Sequence, residues 1–175
     1  MSEESLSGFL ERAWSHLLRG KADRHHPARH PTLATIGPDG PEARTLVLRA
    51  VSQSASTLEF HTDGASPKTD HIATDPRVAI HVWIPKSQLQ IRAQARVEFR
   101  PGDPDLFAQL PAHAQENYRG AVPGTPISTD IQKTKPRFSR LICHLTKFDL
   151  LLLSDPHQRA IYTSETDWSG TWITA

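Results

Sequence analysis

Gln88-Leu89-Gln90-Ile91-Arg92-Ala93-Gln94-Ala95-Arg96-Val97-Glu98-Phe99 alternates polar and apolar residues without a break. Leu89, Ile91, Ala93, Ala95, Val97 and Phe99 share one parity, and Gln88, Gln90, Arg92, Gln94, Arg96 and Glu98 share the other. Successive side chains of a strand point to opposite sides, so this is a long β-strand with one buried face. One-faced strands belong to antiparallel sheets. The preceding segment repeats the pattern: Val78, Ile80, Val82 and Ile84 alternate through residues 77–84, and Pro85-Lys86-Ser87 turns the chain between the two.

Towards the N-terminus, Asp75-Pro76 ends a helix predicted over residues 67–74, because a residue before proline avoids helical geometry. Ser66 is its predicted N-cap and Pro67 its first residue. Residues 57–62 read as a strand. Residues 32–36 and 43–51 read as a hairpin across Gly37-Pro38-Asp39-Gly40-Pro41. Residues 21–31 form a polar connection. Residues 7–20 are an amphipathic helix with Phe9, Leu10, Ala13, Trp14, Leu17 and Leu18 on one stripe and Gly20 as C-cap.

Towards the C-terminus, Asp103-Pro104 opens a short helix through Leu110, and a second helical piece covers residues 112–119. Residues 120–136 are irregular, and so long a loop covers a site or packs on a partner. Residues 138–153 return to strand, bent near Lys147; Ser154-Asp155-Pro156 turns; residues 159–163 make a last strand. The fold expected is mainly β. Six or seven antiparallel strands form a closed or nearly closed β-barrel with peripheral helices, one domain over residues 1–175.

Composition bounds the function. A net charge of +1, with 22% charged and 37% hydrophobic residues, describes an ordinary globule and gives no basic footprint for nucleic acid. One cysteine, Cys143, excludes an intrachain disulfide and fits a reducing compartment. No signal peptide or membrane-spanning run is legible, so the expected location is the cytoplasm. His25, His26 and His30 lack a carboxylate or cysteine at ligand spacing, and no metal site is expected.

The chemistry concentrates between residues 42 and 68. Arg44 and Arg49 bracket one apolar run, and His61-Thr62-Asp63-Gly64-Ala65-Ser66-Pro67-Lys68 leads from a strand through small residues to a helix start. Lys68 stands in the first helical turn, where the helix dipole disfavours a cation. An anion held by Lys68 and the backbone N–H groups resolves that conflict, and a phosphomonoester suits guanidinium and ammonium groups. Arg44 and Arg49 are an odd number apart, so a regular strand turns them to opposite faces. Both reach one ligand only if the strand is bulged or twisted, or if the ligand wraps its end. The competing reading is an edge strand with two solvated arginines.

The set Arg44-x-x-x-x-Arg49, His61-Thr62, Ser66-Pro67-Lys68, Asp75-Pro76-Arg77-Val78 and Gln90-Ile91-Arg92 resembles the pyridoxamine 5'-phosphate oxidase family of FMN-binding split barrels. The resemblance implies FMN as cofactor, with Arg44 and Lys68 on its phosphate and Thr45, Leu46, Val47 and Leu48 along the flavin. It implies Arg49 near the ring and the substrate, His61 and Thr62 at positions that contact the cofactor, and Ser66 in the phosphate loop. Gln90 would bond the ring edge, and Arg159 matches a late FMN-contacting arginine. It also implies a homodimer with the FMN groove shared by both subunits, and a small-molecule substrate.

Several positions depart from the family. Pro67 replaces a basic phosphate contact, and Leu151 stands where a tryptophan lies over the flavin. The substrate-phosphate residues have no match around Tyr118. These differences point away from pyridoxamine phosphate and towards the broader group of related FMN-dependent oxidoreductases. The alternative is a non-catalytic flavin- or haem-binding protein of the same fold. An oligonucleotide-binding barrel calls for aromatic side chains on an exposed strand face, and residues 88–99 show none there.

Overall fold

The computed structural model describes residues 4–127 and 134–175. Helix α1, Leu6–Ala22, is capped by Ser5, whose hydroxyl accepts from the Gly8 amide at 3.0 Å. It buries Phe9, Ala13, Trp14 and Leu17, while Leu18 stays exposed. Gly20 is not the C-cap. It lies within the helix, and a Cβ there would come 2.5 Å from the Ala28 carbonyl carbon. Its role is close packing of the 3-10 turn Pro27–Arg29 against α1.

Nine strands follow. β1 (Thr32–Gly37) and β2 (Gly40–Thr45) form the expected hairpin, with Gly40 at φ +131°. β3 (Leu48–Ser52), β4 (Thr57–Asp63), helix α2 (Pro67–Thr74), β5 (Arg77–Ile84) and β6 (Leu89–Pro101) come next. Two short helices, α3 (Pro104–Ala108) and α4 (Ala112–Glu116), precede β7 (Phe138–Leu152), β8 (Gln158–Thr163) and β9 (Gly170–Ile173). Of the irregular segment expected at 120–136, residues 128–133 lie outside the described residues; the described part holds no regular element.

The strand order is β2-β1-β5-β6-β7-β4-β3, with β8 and β9 continuing from β7. The run expected as one strand over residues 43–51 is thus two strands at opposite ends of that path. Only Leu46 and Val47 join them, so Thr45 and Leu48 are no more than about 11 Å apart. The sheet must therefore curl until its two ends nearly meet. This is a split barrel, open where β2 passes to β3. The inner face carries Leu33, Ile80, Ala93, Phe148 and Tyr162, which are cross-strand neighbours and all buried.

Two bulges shape the curl. Leu48 pairs with Phe60 and Ala50 with Glu59, so Arg49 is the extra residue in β3. Gln94 pairs with Lys147 and Ala95 with Leu145, so Thr146 is extra in β7, beside the bend expected at Lys147. Strand β9 was not legible. Its Trp172 stacks on Phe9 at a centroid distance of 5.4 Å and ties the C-terminal strand to α1. Tyr162 anchors the same seam by donating to the Leu6 carbonyl at 2.7 Å.

Candidate cofactor site

Arg44 sits on β2 opposite Leu33, and so on the inner side of the sheet at the split. Its Nη1 donates to Thr35 Oγ1 at 2.7 Å and to the Glu42 carbonyl at 3.0 Å, and its Nη2 to Glu42 Oε2 at 3.0 Å. Its Nε–H has no partner among the described residues.

Lys68 lies in the first turn of α2, as the spacing required, but Ser66 does not cap the helix with its side chain. The Ser66 hydroxyl accepts from Lys68 Nζ instead, and Thr62 Oγ1 accepts from the same ammonium at 3.1 Å. An ammonium has three N–H donors, so one is left without a partner among the described residues. Burial depresses the pKa of Lys68 first, and the charge of Arg44 depresses it further. Asp63 opposes the shift, but its carboxylate is already held by Arg137 through Nε at 2.9 Å and Nη2 at 2.9 Å. Arg44 keeps Glu42 as counter-ion, but Lys68 feels the Arg44 charge, and each cation retains an N–H without a partner among the described residues. A phosphate between them satisfies the donors and removes the repulsion. The chain's residues fit the phosphate end of such a cofactor.

The remaining positions divide into two groups. Leu46 and Val47 bridge the split, with the Leu46 amide donating to the Pro31 carbonyl at 3.0 Å. Leu48 is fully buried, and Thr45 faces outward opposite Thr32. The parity argument does not apply to the two arginines, because Arg44 lies on β2 and Arg49 on β3, on either side of the split. Arg49 lies near Arg29, whose pKa falls through burial and then through the charge of Arg49. His61 is buried edge-on to Phe138, and its Nε2 lies 3.2 Å from Glu59 Oε1. Its Nδ1 is buried with no hydrogen-bond partner among the described residues.

Gln90 and Arg159 belong elsewhere. Gln90 is paired with Trp83 and Leu151, and Leu151 with Arg159, so all four share the outer sheet face. Gln90 is three residues from the inward Ala93 and so opposite in parity to it; Arg44 belongs to the Leu33–Ile80–Ala93 side. Arg159 is occupied by Asp149, donating from Nε at 3.0 Å and Nη2 at 2.9 Å, and Arg92 shares that carboxylate. Burial raises the Asp149 pKa, yet the two guanidinium groups together outweigh it and the net shift is downward. Within one chain Gln90 and Arg159 do not join Arg44 and Lys68.

Sequence reading missed Thr35, Glu42, His71, Asp63 and Arg137. Arg137 also donates to the Gly120 carbonyl at 3.2 Å and the Ala121 carbonyl at 3.1 Å, fastening the loop after α4 beside β4. Glu42 stands two residues from Arg44 on the same strand, at a spacing that could have revealed it; Thr35–His71 and Asp63–Arg137 are long-range contacts with no such signal. Among the described residues no three His, Cys, Asp or Glu side chains gather as a metal-binding group. None of their helices is long and apolar enough to cross a membrane.

A profile of the "Pyridoxamine 5'-phosphate oxidase, FMN-binding domain" family matches residues 11–100, half of the chain. The chain belongs to this family. Two curated pyridoxine/pyridoxamine 5'-phosphate oxidases are similar. The protein from Pseudomonas entomophila is 40% identical over 38% of this chain and 31% of its own length. That from Pseudomonas fluorescens is 33% identical over 45% of this chain and 37% of its own. The match thus spans about a third of these relatives. A pyridoxamine 5'-phosphate oxidase-related, FMN-binding protein from Nostoc punctiforme superposes with a TM-score of 0.78 at 26% identity, over 100% of both chains. PhzG from Burkholderia lata, solved with tetrahydrophenazine-1-carboxylic acid, shares the fold with a TM-score of 0.74 at 14% identity, over 98% of this chain and 93% of its own.

Proposed function

We propose that the chain is an FMN-dependent oxidoreductase acting on a small molecule other than pyridoxamine phosphate. The observation that carries this reading is the geometry of Arg44 and Lys68: Thr35 and Glu42 hold the guanidinium, Thr62 and Ser66 hold the ammonium, and each cation keeps a donor for phosphate. Family membership supports FMN as the phosphate-bearing group. Arg44 and Lys68 hold the phosphate; Thr62 and Ser66 orient the ammonium that does so. Leu46 and Val47, where the chain crosses the split, line the flavin, held at either end by Thr45 and the buried Leu48, with Arg49 and His61 at its flanks. FMN, when bound, supplies the hydride chemistry, and the protein tunes it by hydrogen bonds.

The opposite placement of Gln90 and Arg159 supports a homodimer. A second copy brings its outer face, with Gln90, Trp83, Leu151 and Arg159, over the split of the first. Each groove then takes its phosphate end from one subunit and its ring-edge contacts from the other. A cytoplasmic location accompanies this reading, since a single cysteine, free and buried, fits a reducing compartment.

The test is the absorbance spectrum of purified protein equilibrated with FMN and freed of excess. A retained flavin band that bleaches with reductant and returns with oxygen agrees with the proposal. A colourless protein, or a haem Soret band in its place, refutes it.

A further inference from the structure

Arg44 belongs to a nearly closed ring of four side chains, three of its sides hydrogen bonds and the fourth a 3.7 Å approach of His71 to Glu42. Its Nη1 donates to Thr35 Oγ1 at 2.7 Å; Thr35 Oγ1 lies 3.1 Å from His71 Nδ1; His71 Nε2 lies 3.7 Å from Glu42 Oε1; and Glu42 Oε2 accepts from Arg44 Nη2 at 3.0 Å. The proton directions are consistent. A hydroxyl can accept from the guanidinium and donate its own hydrogen to Nδ1, which leaves Nε2–H directed at the carboxylate. Thr35 and His71 are buried, whereas Glu42 is exposed, so the dry side of the ring is Arg44–Thr35–His71.

Gly37 makes the room. A Cβ there would lie 2.8 Å from Glu42 Oε1 and 3.1 Å from His71 Cε1, so any other residue would push the ring apart. The ring also joins the two parts of the phosphate site. Arg44, Thr35 and Glu42 belong to the β1–β2 hairpin, and His71 to α2. Lys68 and His71 are three apart and share a face of that helix, which packs on β1. Fixing His71 against Thr35 fixes the rotation of α2 and therefore the position of Lys68 relative to Arg44.

We infer that Thr35 and His71 are positioning residues for the phosphate of a bound nucleotide cofactor: they pre-set the Arg44–Lys68 gap without touching the ligand. This rests on the FMN reading above. It assigns Arg44 Nη1 to the protein and leaves Nε–H and the second Nη2 hydrogen for phosphate oxygen. Such pre-organisation acts on the phosphate alone, because an already ordered donor loses little freedom when it binds.

The experiment compares FMN with riboflavin, which lacks the phosphate, by fluorescence titration of the apoprotein. Thr35→Val removes the hydroxyl at nearly constant volume and leaves Arg44 Nη1 only the Glu42 carbonyl at 3.0 Å and the Leu33 carbonyl at 3.4 Å; FMN binding weakens roughly 10-fold, as expected for the loss of a charge-assisted hydrogen bond, with riboflavin unchanged. Thr35→Ser restores FMN affinity. His71→Ala opens the ring from α2 with the same selectivity, and it serves if Thr35→Val does not fold. Equal weakening of both ligands, or no change for FMN, overturns the inference. A second readout separates this from failure of the cofactor reading. In the NMR spectrum of the apoprotein, the Arg44 Nε–H group is as rigid as the backbone in the parent and mobile in Thr35→Val. A parent that binds neither flavin refutes the FMN reading. An Arg44 side chain equally rigid in parent and variant refutes the ring.

Discussion

Replacing Lys68 with methionine separates binding from folding. Methionine keeps the length and apolar stem of lysine and removes only the ammonium. In the bound state that ammonium makes a charge-assisted contact with phosphate, worth about 1.5–3 kcal/mol net. Its desolvation is already incurred in the unliganded fold, so the contact is realised near the upper end, about 2–3 kcal/mol. At 1.4 kcal/mol per decade the FMN dissociation constant rises roughly 30- to 150-fold. The unliganded protein responds differently. The folded-state pKa of Lys68 is lowered, so the protonated group costs stability at neutral pH, and that cost fades as pH rises through the folded value. Lys68→Met removes the cost and forfeits the bonds to Thr62 and Ser66. The two effects oppose, and stability should change by no more than about 1 kcal/mol, a Tm shift under about 4 °C for a chain of this size. Fluorescence titrations with FMN and riboflavin, beside thermal melts of the apoprotein, measure both. A fall in FMN and riboflavin affinity together, or an FMN constant within threefold of the parent, shows that Lys68 does not hold phosphate.

Three further outcomes are expected. Glu59 accepts from both nitrogens of the Arg140 fork at 2.9 Å and lies against His61; that His61 contact and the Arg140 bonds hold its pKa down to about 2 against an ordinary 4.5, despite burial. Its stabilising contribution is complete above pH 4.5 and lost as pH falls towards 2, so Glu59→Gln should cost about 2 kcal/mol at pH 7 and flatten acid unfolding in that window; identical acid profiles would exclude the mechanism. Gly20→Ala drives a methyl into the Ala28 backbone, and about 1–3 kcal/mol of overpacking exceeds the gain in helix propensity of about 1 kcal/mol, so thermal melts should show a Tm several degrees lower. An unchanged or higher Tm contradicts the close approach. Mixing an Arg44→Ala/Lys68→Ala chain with a Gln90→Ala/Arg159→Ala chain should restore one FMN site per mixed dimer, read by flavin stoichiometry. No recovery in dimers shown to be mixed rules out a shared groove.

The barrel was legible because β5 and β6 are one-faced: alternation at Val78–Ile84 and Leu89–Val97 needs no tertiary information. Helix α2 was equally plain, bounded by Ser66-Pro67 and Asp75-Pro76. The split was not. Residues 43–51 read as one strand because Leu46 and Val47 are good strand formers, and only the pairing of Arg44 with Leu33 and of Leu48 with Phe60 separates the two ends. Gly20 misled because a glycine near a helix end looks like a cap whether it supplies φ freedom or room. Ser66 misled because its hydroxyl had a stronger partner in Lys68 than the backbone amide. In the site, Lys68 was legible from charge placed against helix polarity, and Arg44 from the family resemblance. Their support was not, since Thr35 reaches Arg44 only through the hairpin register and His71 reaches Thr35 only through the packing of α2 on β1. The division of Arg44 and Lys68 from Gln90 and Arg159 depends on which face each strand presents, and parity alone does not relate distant strands.

The central claim is that Arg44 and Lys68 close on one phosphate. A crystal structure of the chain grown with FMN tests it most directly. The account predicts the phosphate between Arg44 Nε and Nη2 and Lys68 Nζ, within hydrogen-bond distance of each, beside the chain crossing at Leu46–Val47. A phosphate bound away from either side chain would contradict it.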